Sequence, residues 1–154
     1  MDAPRPRPLS RIPRWVIYWS AQLLGWGLYF GLSMVASYLD GSYDPRMWDV
    51  LLPELLTGIG ISHALRAVII RRRWLEQPIG MVLPRIMLAS VVMGLAAFLI
   101  ASVLISFALD GLEAVLGRMP LEHMGRVVNW SALLAVWSFL YFAYGYFMRH
   151  RREE

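Results

Sequence analysis

The chain has 154 residues, of which 58% are hydrophobic and 17% are charged. Soluble domains average about 45–50% apolar and about 25% charged residues, so this composition excludes a disordered chain and disfavours an ordinary soluble domain. The net charge is +4, and arginine supplies all 15 of the Lys and Arg positions. The chain has no cysteine, which excludes disulfides, thiolate metal sites and cysteine nucleophiles.

The first 39 residues combine a basic tail with a long apolar segment. Residues 1–14 contain four prolines and four arginines, which predicts an extended cytoplasmic tail. Trp15–Leu39 then runs for 25 residues without a charge. A bilayer core needs about 20 helical residues, whereas the apolar part of a signal peptide has about 7–15. We therefore predict a retained membrane helix.

The second predicted span, Leu51–Ile70, follows a turn-rich loop at residues 40–49. Pro53 and Glu54 fit the start of this helix, because proline suits a first turn and a carboxylate interacts favourably with the positive end of the helix dipole. Arginines 71–73 end the span.

Two more apolar runs complete the predicted membrane domain at 15–148. The remaining segments, in chain order, are a connection at 74–85 with two prolines, a third span Ile86–Leu109, a polar loop 110–126 in which Leu112–Leu116 fits a short interfacial helix, a fourth span Val127–Met148, and the start of a cytoplasmic linker at 149–154.

The arginines are distributed unevenly between the two sides of this arrangement. Twelve lie in the tail, around the 71–85 connection or at the C-terminus, whereas only Arg46, Arg118 and Arg126 lie on the other side. Arginine and lysine near the ends of spans favour the cytoplasm. We therefore predict an all-α, multi-pass protein of the bacterial inner membrane, with four transmembrane helices and both termini in the cytoplasm.

Three polar or aromatic residues form a stripe along the first span. Gln22, Trp26 and Tyr29 are spaced four and three residues apart, which places them on one face of a helix. This face is either a groove for a ligand or, as we favour, a helix-packing surface. Gly27 and Gly31 form a G-x-x-x-G pattern, which permits close backbone approach but is common by chance.

The second span carries ionisable residues, which are costly within a membrane and suggest a function. His63 lies near its middle, and Arg66 is one turn closer to the cytoplasm. Arg66 can extend towards the headgroups. We favour a packing hydrogen bond from His63 to Gln22 or a serine over a protonation switch, and an interfacial role for Glu54 over proton coupling.

Aromatic residues also follow one face of the fourth span. Trp130, Trp137, Tyr141 and Tyr144 are spaced seven, four and three residues apart. This aromatic seam predicts a packing surface within a helix bundle or a homodimer.

Other functional classes have little support in the sequence. It contains no P-loop, glycine-rich nucleotide motif, G-x-S-x-G or H-E-x-x-H motif, so we expect no enzymatic activity and no cofactor. His63, His123 and His150 are predicted to lie at three different depths relative to the membrane, which disfavours a metal site. The arginine clusters flank spans, which argues against nucleic-acid binding.

Several strings of residues resemble a known family. The segment Tyr18-Trp19-x-x-Gln22-Leu23-Leu24-Gly25-Trp26-x-x-Tyr29-Phe30 resembles the opening helix of bacterial sensor histidine kinases of the LytS/AlgZ type. Further similarity occurs in Ser62-His63-x-Leu65-Arg66, in Arg71-Arg72-Arg73-Trp74-Leu75, and in the stretches Asn129-Trp130 and Trp137 to Phe142. The resemblance as a whole covers roughly residues 14–152.

The resemblance implies a sensory input domain that sits in the bilayer and acts through a kinase partner or a LytTR-type response regulator. The family's phosphoacceptor box and ATPase domain have no counterpart in this sequence, so no catalytic residue is carried over. The alternatives are a stand-alone membrane regulator acting in trans and a small four-helix transporter. A transporter is disfavoured because only His63 lies near the predicted midplane.

Overall fold

The computed structural model describes residues 13–108, 111 and 120–153, and the regular secondary structure within them is helical. The predicted all-α class is confirmed. The helices are α1 (Arg14–Leu39), α2 (Met47–Arg71), a short 3-10 helix (Trp74–Glu76), α3 (Ile79–Ala108) and α4 (Pro120–Glu153). Most of the predicted tail and the predicted helix Leu112–Leu116 lie outside the described residues.

Three of the four long helices are long and apolar enough to cross a membrane, which indicates a membrane protein. These segments are Met47–Arg71, Ile79–Ala108 and Leu121–Phe147. The α1 helix has a comparable length of 26 residues, but no membrane-length stretch of it reaches the hydropathy of those three segments. The reason is that Gln22, several serines and several aromatic residues with polar groups lie within it.

The predicted start of the second helix at Pro53 and Glu54 is wrong. The α2 helix begins at Met47, and Pro53 lies inside it. A turn at Asp44 starts the helix earlier, because the Asp44 side chain accepts a hydrogen bond from the Arg46 N–H at 2.9 Å and its carbonyl accepts one from the Met47 N–H. A proline this close to the helix start removes one backbone hydrogen bond without ending the helix.

The last two helices also begin earlier in the chain than the predicted starts of the corresponding spans, Ile86 and Val127. The connection ends at Pro78, α3 begins at Ile79, and Pro84 lies inside it. The α4 helix begins at Pro120, so much of the predicted polar loop is helical. Proline fits the positions of Pro78 and Pro120 because first-turn N–H groups have no partner within the helix. Pro84 lies beyond the first turn of α3, where it removes one backbone hydrogen bond without ending the helix. Counting apolar residues alone placed both boundaries too far along the chain.

Small residues bring α3 and α4 close together. The buried face of α3 includes Ser90, Gly94, Ala97 and Ala101. A Cβ atom added at Gly94 would lie 2.8 Å from the backbone nitrogen of Ser131 on α4. Such stripes of small residues permit close helix contact in membranes, and this one was not predicted from the sequence.

The G-x-x-x-G pattern of α1 makes no such contact. Gly27 and Gly31 are both exposed, and an added Cβ atom at either position would meet no atom within 4 Å. The α1 helix packs instead against α2 through larger side chains, which also reach α4.

The turn between α1 and α2 is compact. Gly41 adopts a positive φ of 76°, which glycine tolerates without steric cost. The Ser42 N–H donates to the Asp40 carboxylate at 2.9 Å. Hydrogen bonds from Ser42 hold the pKa of Asp40 below its usual value.

Candidate functional site

A buried polar network joins α1 to α2. The Trp26 indole N–H donates to Gln22 Oε1 at 3.0 Å, and the Ser62 hydroxyl donates to the same oxygen at 3.0 Å. Gln22 is 1% exposed and Ser62 is fully buried. Buried polar groups are costly unless they are hydrogen-bonded, so this network specifies how the two helices face each other.

The network continues to His63 through a tyrosine. Gln22 Nε2 donates to the Tyr18 hydroxyl at 2.8 Å, and that hydroxyl lies 3.0 Å from His63 Nδ1. His63 is exposed at the edge of the bundle, where Trp19 stacks on its ring with 5.9 Å between centroids. Among the described residues, His63 therefore hydrogen-bonds to Tyr18 and not, as predicted, to Gln22 or a serine. The serine, Ser62, bonds to Gln22 instead.

Arg66 lies between aromatic rings from two other helices. Its guanidinium carbon is 4.3 Å from the centroid of the Tyr18 ring on α1 and 5.9 Å from that of Tyr141 on α4. Tyr141 in turn stacks on Trp137, with centroids 5.5 Å apart. Cation–π contacts of this kind are stronger where water is excluded. Arg66 thus connects the α1–α2 network to the aromatic seam of α4.

Trp26 makes the second connection to α4. Its ring lies 5.7 Å from that of Trp130, centroid to centroid, and Trp130 is 4% exposed. The four seam residues therefore differ in environment: Trp130 is buried in the bundle, Trp137 and Tyr141 are half-buried, and Tyr144 is exposed. Part of the predicted seam packs inside this chain.

A second polar cluster lies at the end of the bundle away from Arg71–Arg73. Glu54 of α2 forms an ion pair with Arg126 of α4, and the Arg126 guanidinium carbon is 5.6 Å from the centroid of the Phe98 ring on α3. The Asn129 side-chain amide on α4 donates to the Tyr29 hydroxyl on α1 at 2.7 Å. These contacts join all four helices.

The second cluster borders a cavity of about 320 Å³ between α1, α2 and α4. Its polar and aromatic lining comes from Tyr29, Glu54, Glu122, Arg126, Asn129 and Trp130. We refer to it below as the distal cavity. Within the described residues, no group of three or more histidine or acidic side chains is placed to hold a metal ion.

For several of these pairs, the sequence pattern indicated one member but not the other. Gln22, Trp26, Tyr29, His63, Arg66, Trp130, Trp137 and Tyr141 were singled out, and all take part in the contacts above. Ser62 and Asn129 appeared only within the family resemblance, and Arg126 was counted only as a loop arginine. The Glu54–Arg126 pair could have been inferred from the sequence, because these two opposite charges are predicted to lie near the same face of the membrane.

Known proteins offer no further guide to this arrangement. No protein-family model, no curated protein and no solved structure matches the chain.

Proposed function

We propose that this chain is a membrane-embedded input domain of a two-component histidine-kinase system of the LytS/AlgZ type. One observation carries the proposal: the buried network of α1 and α2 contacts α4 at Trp130 and, through Arg66, at Tyr141. The α4 helix continues to Glu153. A change in the packing of α1 can thus alter the position of the helix that leads towards the C-terminus.

The fourth span of this proposal is α1. Gln22 and Trp26 are buried within the bundle, whereas Leu23, Leu24 and Leu28 are 60%, 72% and 65% exposed. A helix in lipid needs an apolar surface only where it meets lipid. Polar groups such as Gln22 that lower the hydropathy of α1 can therefore lie on its inward face, which is compatible with insertion.

The proposed orientation places both termini in the cytoplasm of a bacterium, with the protein in the inner membrane. The twelve-to-three distribution of arginines supports it. The α4 exit would then reach a kinase linker, either in a longer chain or in a partner protein. A homodimer or a LytTR-type response regulator are the other proposed partners.

The proposed mechanism is a shift between two packing arrangements of the helices. A ligand or membrane stimulus can favour one arrangement only by the difference between its interaction free energies with the two. A rotation or tilt of α4 would transmit that shift, because a continuous helix is stiff over this length.

A chimeric kinase tests this function. The linker and catalytic region of a LytS/AlgZ-type kinase are fused after Glu154, and autophosphorylation is measured in membranes. Trp137→Ala and Tyr141→Ala should change the output without loss of insertion, whereas Leu140→Ala, on the exposed face of the same helix, should not. Inserting one residue at the junction rotates the linker by about 100° and should change the output more than inserting seven residues.

Output that is identical in all of these fusions would contradict the proposed function. The stand-alone regulator makes a different prediction: the unfused chain, expressed in trans, would change the activity of a LytTR-type regulator that is encoded with it.

A further inference from the structure

We propose that the distal cavity binds a small organic cation with a primary ammonium group. The cavity, about 320 Å³ in volume, lies at the lower end of the range of about 300–1,000 Å³ that is typical of small-molecule sites. It is separate from the hydrogen bonds that join Ser62 to Gln22, Gln22 to Tyr18 and Tyr18 to His63.

The charges that line the cavity favour a cation. Two carboxylates, Glu54 and Glu122, face one guanidinium, that of Arg126. Among the described residues, Arg126 contacts Oε1 of Glu54 and no hydrogen bond occupies Oε2. The described lining therefore has one negative charge in excess, which would repel an anionic ligand.

The remaining polar and aromatic groups fit the same ligand. Asn129 uses its amide nitrogen to hold the Tyr29 hydroxyl, and its side-chain oxygen makes no hydrogen bond with any described residue. An ammonium group has three donors and no acceptor, which matches the free carboxylate and amide oxygens. The rings of Tyr29 and Trp130 border the cavity, and aromatic faces attract cations.

A ligand in this cavity would touch residues that also hold α1 in place. Trp130 contacts Trp26, which hydrogen-bonds within the α1–α2 network. The role of the cation as a stimulus rests on the proposed function, because it requires a coupled output. Binding itself does not, since it concerns only the residues of this chain.

Three probes of similar size separate the possible causes of binding. Butylammonium, butanol and butyrate are titrated by calorimetry into the full chain in phosphatidylcholine nanodiscs, whose lipids have no net charge, and empty nanodiscs provide the baseline. We expect saturable binding of butylammonium at least about tenfold tighter than that of either other probe, equivalent to one charge contact within a partly enclosed site.

Two acidic positions near the same end of the bundle serve as test and control. Glu122→Gln removes an exposed lining charge, so the variant should fold and bind butylammonium about fivefold more weakly. Asp49→Asn alters an exposed residue outside the lining and should leave binding unchanged.

Equal binding of all three probes would indicate partition into the bilayer and would overturn the proposal. The proposal would also be overturned if butyrate bound most tightly, or if Glu122→Gln left the binding of butylammonium unchanged. If butylammonium binds as expected but does not alter the output of the chimeric kinase, the cation site stands and its role in signalling fails.

Discussion

The indole ring of Trp26 occupies the space that a side chain at position 58 would need. A Cβ atom added to Gly58 would lie 2.8 Å from the ring carbons Cε3 and Cζ3 of Trp26. The absence of a side chain on α2 thus allows a large ring from α1 to enter the bundle, where it reaches both Ser62 and Trp130. This contact is one of those that attach α1 to α2.

Replacing this glycine should weaken the packing of α1. Gly58→Ala forces the Trp26 ring to move, and overpacking of this kind typically costs about 1–3 kcal/mol. We expect a lower midpoint of thermal unfolding in detergent. Gly60→Ala is the matched control, because Gly60 lies on the same helix, is exposed and has open space around an added Cβ. Equal midpoints for the two variants would show that Trp26 is not held against α2.

Gln22 should contribute more to stability than His63. Gln22 is buried and bonds to Tyr18, Trp26 and Ser62, so Gln22→Ala leaves a cavity as well as unpaired polar groups. We expect a loss of about 1–3 kcal/mol for Gln22→Ala.

His63→Gln provides the comparison for Gln22. His63 is exposed and has one side-chain hydrogen bond, with Tyr18. Hydrogen bonds within membranes average about 0.6 kcal/mol, which is the loss expected for His63→Gln in a denaturant titration. A larger loss for His63→Gln than for Gln22→Ala would contradict the assignment of Gln22 as the centre of the network.

The Glu54–Arg126 pair should show energetic coupling in a double-mutant cycle. Its side chains are only 19% and 17% exposed, respectively, so water screens the pair less than a surface ion pair. We expect Glu54→Gln and Arg126→Gln to be coupled by about 1–2 kcal/mol.

Glu122→Gln is the control for this cycle. Glu122 is one turn from Arg126 on α4 and is exposed, and its replacement should change stability by less than about 0.5 kcal/mol. Coupling within the experimental error would mean that the ion pair does not form in the membrane.

The proposed topology can be measured with single cysteines, because the chain has none of its own. Ser42→Cys lies between α1 and α2, and Gln77→Cys lies between α2 and α3. A membrane-impermeant maleimide should label Ser42→Cys in spheroplasts with an intact inner membrane and Gln77→Cys only after that membrane is broken. Labelling of both positions without disruption would refute the proposal that α2 spans the membrane.

The helical class and the four long helices of the described residues followed from the sequence because long apolar runs leave few alternatives. The run at 15–39 predicted α1 to within one residue, since a charge or a turn marks each of its ends. The boundary errors at Pro53, Pro84 and Pro120 share one cause. Apolar composition shows where lipid can be, whereas helix ends depend on capping and backbone hydrogen bonds, which continue into polar residues.

The sequence indicated some residues of each candidate site but not their partners on other helices. Periodicity placed Gln22, Trp26 and Tyr29 on one face of α1, because residues three and four apart share a face of any helix. No pattern within one helix could reveal that Ser62 completes the hydrogen bonds of Gln22, or that Arg126 pairs with Glu54. Such partners lie 40 and 72 positions apart along the chain.

The sequence by itself determined that the chain is helical, rich in apolar segments and unevenly charged along its length, because these properties depend on residues that are neighbours in the chain. Only the tertiary structure decided which glycines are packing sites. Gly58 and Gly94 meet other helices, whereas Gly27 and Gly31 face open space. The same residue type has either role, because its role depends on the shape of the helix opposite and on the rotation of each helix about its own axis.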